Sequence, residues 1–128
     1  MNQKTLIAAG AVALLSVAAS AASAATPGRS CFQMNQLQGT RADGDQRIYA
    51  RVGVKEIYRI DLAHRCSSLL SQEGIVLTPT GGNNLICTPL DLDLRARDLG
   101  GFSTPCIISG ITRLTAEEAA ALPAKVKP

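Results

Sequence analysis

The chain has no tryptophan and few aromatic side chains of any kind: Phe32, Tyr49, Tyr58 and Phe102. Single-stranded nucleic acid is held by stacking successive bases on aromatic faces, so a chain this poor in rings is not built for it. The same shortage disfavours sugar binding. Lysine and arginine are scattered, with no run that would track phosphates, and nucleic acid is set aside as a partner. There is one histidine, His64. No C-x-x-C pair exists, which removes the usual zinc and dithiol-redox patterns. No Gly-x-x-x-x-Gly-Lys loop and no nucleophile elbow is present.

What the chain does have is an export signal and four cysteines. Asn2, Gln3 and Lys4 form a short positive region, Leu6 to Ala19 is apolar, and Ala22-Ser23-Ala24 is a small-x-small cleavage site. Residues 1–24 therefore read as a secretory signal peptide, with Ala21 and Ala25 as neighbouring cleavage points. The apolar run falls short of the roughly 20 residues of a membrane span, and nothing later in the chain reaches that length. No cysteine follows the apolar run in lipoprotein fashion. Residues 25–30 form a linker, 31–122 a single β-rich domain, and 123–128 a flexible tail. Cleavage removes Lys4 and no acid, lowering the net charge from +3 to about +2. The reading predicts a periplasmic or secreted protein.

The hydrophobic period is mostly two, which predicts strands. Ile48, Ala50 and Val52 alternate with Tyr49 and Arg51; Tyr58, Ile60 and Leu62 alternate with Arg59 and Asp61. A three-residue loop, Gly53-Val54-Lys55, would pair Ile48 with Ile60 and Ala50 with Tyr58. It would also set Arg47 opposite Asp61 and Tyr49 opposite Arg59. A two-residue loop would mix apolar and polar residues on one face, so burial favours the longer one. Further strands are expected at 74–78, 85–89, 90–97 and 106–113. In the third, Leu90, Leu92, Leu94 and Ala96 face inward, and Asp91, Asp93, Arg95 and Arg97 outward. Pro79 and Pro89 mark edges, ends or bulges. Residues 66–72 suggest a helical turn. Thr115 to Glu118 is a capping box that starts a short helix, with Leu114 and Leu122 as its anchors. The fold expected is mainly β: a small five- to six-stranded barrel or sandwich stapled by two disulfides, with a short C-terminal helix.

Cys31, Cys66, Cys87 and Cys106 are an even set in a small exported chain, the signature of structural disulfides. A metal site with His64 and a redox dithiol are the competing readings, and both lack the spacing they need. Three pairings are open. We favour Cys66–Cys87, which closes a modest loop, with Cys31–Cys106, which ties the domain's ends together. Chain entropy gives ~3.4 and ~4.5 kcal/mol for these loops, comparable with the ~5–15 kcal/mol that stabilises a domain.

Cys31-Phe32, Tyr58-Arg59-Ile60-Asp61-Leu62, Cys66 with Leu69, Ile86-Cys87, Cys106-Ile107-Ile108 with Ile111, and Leu114 with Glu117-Glu118 form a combined pattern over nearly the whole mature chain. In it the chain resembles a family of short exported proteobacterial proteins of unknown function with four cysteines. The resemblance implies an exported, mainly β, disulfide-stapled domain. It implies no activity and no catalytic residues.

Other candidate sites are thin. His64 could act as a base or ligand with Asp61, Ser67, Ser68 or Ser103 nearby. Asp43-Gly44-Asp45 looks like a fragment of a calcium loop, but Arg47 arrives where further oxygen ligands belong. Asp91 and Asp93 share a face with Arg95 and Arg97, which reads as a solvated strand face. No catalytic, cofactor or metal residue is assigned and no cofactor is expected. The function expected is that of a non-enzymatic exported domain binding a protein or an envelope component. Its loops would be Thr40–Asp45 and Pro79–Asn84. An inhibitor of an envelope hydrolase is a sharper version. An enzyme centred on His64 is a second reading, and a small-ligand or metal carrier using the barrel interior a third.

Overall fold

The computed structural model describes residues 30–71 and 73–128. The expected signal peptide lies outside the described residues, as does the expected linker except for Ser30. Nine strands are present among the described residues: β1 (Phe32–Gln33), β2 (Leu37–Asp43), β3 (Arg47–Val52), β4 (Glu56–Leu62), β5 (Ile75–Pro79), β6 (Leu85–Ile86), β7 (Leu92–Arg97), β8 (Ser103–Cys106) and β9 (Ile108–Arg113). One short helix, α1 (Ala116–Ala121), follows. The fold is mainly β, as expected, but with more and shorter strands than five or six. They form three antiparallel sheets, ordered β2-β3-β4-β9, β5-β7-β8 and β1-β6.

The β3–β4 hairpin has the expected register: Ile48 faces Ile60, Ala50 faces Tyr58, Arg47 faces Asp61 and Tyr49 faces Arg59. Its loop is Gly53-Val54-Lys55, and the glycine at its first position takes the left-handed φ of 59°. The β2–β3 turn repeats this with Gly44 at φ 71°. Each hairpin thus places a glycine where an L side chain would be strained.

Ile48, Ala50 and Val52 from β3, Tyr58, Ile60 and Leu62 from β4, and Leu92, Leu94 and Ala96 from β7 close on one another in a single core. Phe32, Leu69, Ile86 and Ile108 complete it. Phe32 and Tyr58 stack at 4.8 Å between ring centroids, tilted by 49°. The interior that a carrier would use is filled by these side chains.

Several boundaries differ from expectation. Leu90 is not in the β7 strand. Pro89–Asp91 forms a 3-10 turn that leaves Leu90 87% exposed. Proline at its first position and a capping box between Thr88, the N-cap, and Asp91 hold that turn. Asp91 Oδ2 accepts from the Cys87 and Thr88 amides at 3.0 and 2.7 Å and from Thr88 Oγ1. These bonds favour the ionised carboxylate and lower its pKa. The expected 106–113 strand is two strands, β8 and β9, that lie in different sheets. Residues 67–71 do form a 3-10 turn. Thr115 caps α1 with the reciprocal Glu118 bond. Leu114 and Leu122 are half-buried. Beyond the helix, Ala124–Val126 makes a further turn and Val126 is 3% exposed, an anchor within the segment that the sequence marks as a flexible tail.

Candidate functional site

All four cysteines are in disulfides, and the partners are Cys31–Cys87 and Cys66–Cys106. This corrects the expected Cys66–Cys87 and Cys31–Cys106. The reason is the β1–β6 ladder: Phe32 faces Ile86, so the next pair outward in the same register is Cys31 and Cys87, with Cα atoms 4.2 Å apart. The second bridge follows from β4 and β9. Leu62 faces Ile108 and the Ala63 amide bonds to the Ile107 carbonyl. The chain just after β4 therefore runs past the end of β8, and Cys66 meets Cys106. This bridge ties the end of the four-stranded sheet to the three-stranded one. Two disulfides fit an oxidising compartment, extracellular or periplasmic.

His64 lies exposed in a bend after β4. Its expected acid, Asp61, is taken by Arg47 at 3.2 Å and Arg59 at 2.9 Å. Ser67 and Ser68 are on the turn that follows, and Ser103 is exposed at the start of β8. These residues are not gathered into a cleft with His64. Asp43 pairs with Arg47 and Asp45 with Arg65 at 2.6 Å, so the would-be calcium loop is held by arginines. Asp93 pairs with Arg95. Among the described residues no group of three or more His, Cys, Asp or Glu could hold a metal ion.

The loops singled out from sequence also shift. Thr40–Asp43 belongs to β2, an edge strand with a bulge between Leu37 and Gly39. Residues 80–82 form an exposed 3-10 turn. A different segment, the β7–β8 turn, is held by a dense set of hydrogen bonds. Asp98 Oδ1 accepts from the Gly100 and Phe102 amides at 3.0 and 2.9 Å. The Asp98 amide donates to the Phe102 carbonyl, and the Gly101 amide to the Asp98 carbonyl, both at 3.0 Å. Gly101 supplies the left-handed residue at φ 80°. The Phe102 ring lies over Gly100, where any Cβ would come within 3.1 Å of it.

This tightly bonded turn carries two apolar side chains in solvent, Leu99 at 81% and Phe102 at 75% exposure. The neighbouring Ser67–Ser71 turn exposes a third, Leu70. The two turns are joined by the Ser71 hydroxyl, 2.9 Å from the Arg97 carbonyl. Between them lies an open depression of about 390 Å³ lined by Ser67, Ser68, Ser71, Asp98, Leu99 and Gly100. Cys66 immediately precedes one turn, and Cys106 ends the strand that leaves the other. One disulfide clamps both. Sequence alone carried no signal for this site, because Leu99 and Phe102 lie outside every alternating run.

A family model matches residues 1–127. The chain belongs to DUF6491, a family of unknown function. The resemblance read from its cysteine context is therefore to a real family, one that brings no activity with it. No curated protein and no solved structure matches the chain. No helix among the described residues is long and apolar enough to cross a membrane.

Proposed function

We propose that the protein is an exported, non-enzymatic domain that binds a protein partner through the paired turns at Ser67–Ser71 and Asp98–Phe102. The observation that carries this reading is the exposure of Leu99 and Phe102 on a turn fixed by four backbone-directed hydrogen bonds and a nearby disulfide. Large apolar side chains held rigid in water favour association, because the ordering cost is already met and hot spots are rich in such anchors. The sharper version, inhibition of an envelope hydrolase, uses the same rigid turn. Export rests on the sequence of residues 1–24 and on the oxidised cysteines, and cleavage after Ala24 is proposed with it.

The test is cross-linking in the native envelope, followed by identification of the cross-linked protein. Leu99→Ser with Phe102→Ser should abolish the cross-linked species and leave the melting temperature unchanged. Val54→Ser with Leu90→Ser removes two equally exposed apolar groups elsewhere and should leave the species intact. A species equally sensitive to both double variants, or to neither, overturns the assignment.

A further inference from the structure

The outward face of the four-stranded sheet brings together arginines that are scattered in sequence. The register sets them in rows across β2, β3 and β4. Asp43, Arg47 and Asp61 form one row; Arg41, Tyr49 and Arg59 the next; Gly39, Arg51 and Ile57 the third. Tyr49 lies in the middle of this grid and is 6% exposed although it is on the face away from the core cluster. It is flanked by Arg41 and Arg59 across the strands and by Arg47 and Arg51 along its own.

The charges are not balanced evenly. Arg47 is engaged by Asp43 and Asp61, and Arg59 by Asp61. Bonds that Arg47 donates to Tyr49 and Asp61 hold its pKa above its ordinary value, which ties Arg47 into the sheet. Among the described residues, neither Arg41 nor Arg51 pairs with a carboxylate. They are diagonal neighbours, a relation that puts Cα atoms ~7–8 Å apart. Beyond Arg41 the row continues over the sheet edge, where Arg41 and Lys125, with Thr40, Ala42, Gly74 and Ile75, line a depression of about 110 Å³. That volume is far below the ~300–1,000 Å³ of a drug-sized ligand site and suits one small oxoanion group. Lys125 makes no ion pair among the described residues. One acid, Asp43, lines the adjoining hollow with Lys125 but is held by Arg47.

We infer that Arg51, Arg41 and Lys125 form a docking strip for a linear, phosphate-bearing polymer. Guanidinium groups bind oxoanions through paired N–H donors, which suits the two arginines to this role. Each cation is exposed and screened, so a single phosphate is held weakly. A chain that contacts all three adds its contacts and releases counterions, which makes its binding strong at low salt and steeply salt-dependent. The Tyr49 ring of this face is buried and offers bases no stacking surface there.

The probe is inorganic polyphosphate, with orthophosphate and vesicles containing phosphatidylglycerol as further arms. Polyphosphate should bind and be released as NaCl rises, and orthophosphate should compete weakly. Arg41→Ala with Arg51→Ala should lower the affinity about tenfold or more, given the strength of hydrogen bonds to charged groups. Arg95→Ala with Arg113→Ala, on β7 and on the edge of the four-stranded sheet opposite β2, removes the same charge and should leave binding within about twofold, at the level of distant surface substitutions. Equal loss in both double variants reduces the effect to net charge and overturns the strip. So does binding to vesicles without binding to polyphosphate, or no binding at all. Leu99→Ser with Phe102→Ser should bind polyphosphate normally, so failure of this inference and failure of the proposed function are read separately.

Discussion

Tyr58 shows how one residue in this fold carries both a packing and an ionisation role. Its ring is buried against Phe32, and its hydroxyl donates at the rim of the core, 3.3 Å from the Cys31 carbonyl and from a Glu56 oxygen. Burial, and then the charge of Glu56, push its pKa up from 10.0. A raised pKa means that the folded state favours the protonated phenol. The resulting stability is fully present below the unfolded value near 10 and is lost as pH rises through the higher folded value. The melting temperature of the wild-type protein should therefore fall more steeply above pH 10 than that of Tyr58→Phe. Parallel slopes for the two proteins would contradict this. Single positions were legible in the sequence where a strand alternated cleanly: Ile48, Ile60, Leu92 and Leu94 are buried as expected. They were illegible where local chemistry interrupted the strand, as when Pro89 and Asp91 wound Leu90 into a turn and left it in water.

At the scale of elements, the β3–β4 hairpin was readable because a slip of one residue would have turned Arg59 and Asp61 inward. The penalty for the wrong register was visible in the letters alone. β2 was not readable. Its residues, Leu37 to Asp43, are nowhere fully buried, and Gly39 and the bulge beside it break any alternation. Such an edge strand is specified by its neighbour β3, not by its own pattern. Both hairpin loops depend on a glycine at their first position, Gly44 and Gly53. A Cβ at Gly53 would meet no atom within 4 Å, so its substitution tests the backbone conformation free of any steric clash. Gly53→Ala should cost about 1–2 kcal/mol, the strain of an L side chain in the left-handed region. Denaturant unfolding measures it, with Val54→Ala, one residue on and exposed, as the neutral comparison. A cost no larger than that of Val54→Ala would mean that the loop relaxes to another turn type.

For the whole molecule the decisive feature is the crossed order of the disulfides. First pairs with third and second with fourth, so the two covalent loops interlock along the chain. Sequence could supply the even count and the compartment, but not the pairing. The pairing is set by a ladder of two residues on each side, β1 with β6, too short to leave a periodic signature. The sequence separations of 56 and 40 residues give chain-entropy contributions of roughly 4 kcal/mol each. Together they are comparable with the entire stability of a domain this size. Reduction should therefore unfold the protein or lower its melting temperature severely, and an unchanged melt in reductant would refute that weighting. The pairing itself is open to a direct check. Trypsin leaves Cys66 and Cys87 on one peptide, residues 66–95, and puts Cys31 and Cys106 on two others. The crossed bridges should hold all three peptides in one species under non-reducing conditions. The nested alternative, Cys66–Cys87 with Cys31–Cys106, would release residues 66–95 alone with an internal bridge. A further cut after Glu73 separates Cys66 from Cys87. The Cys31 peptide should then travel with Cys87 and the Cys106 peptide with Cys66, and recovery of Cys31 with Cys66 would overturn both the ladder argument and the clamp it places beneath the exposed turns.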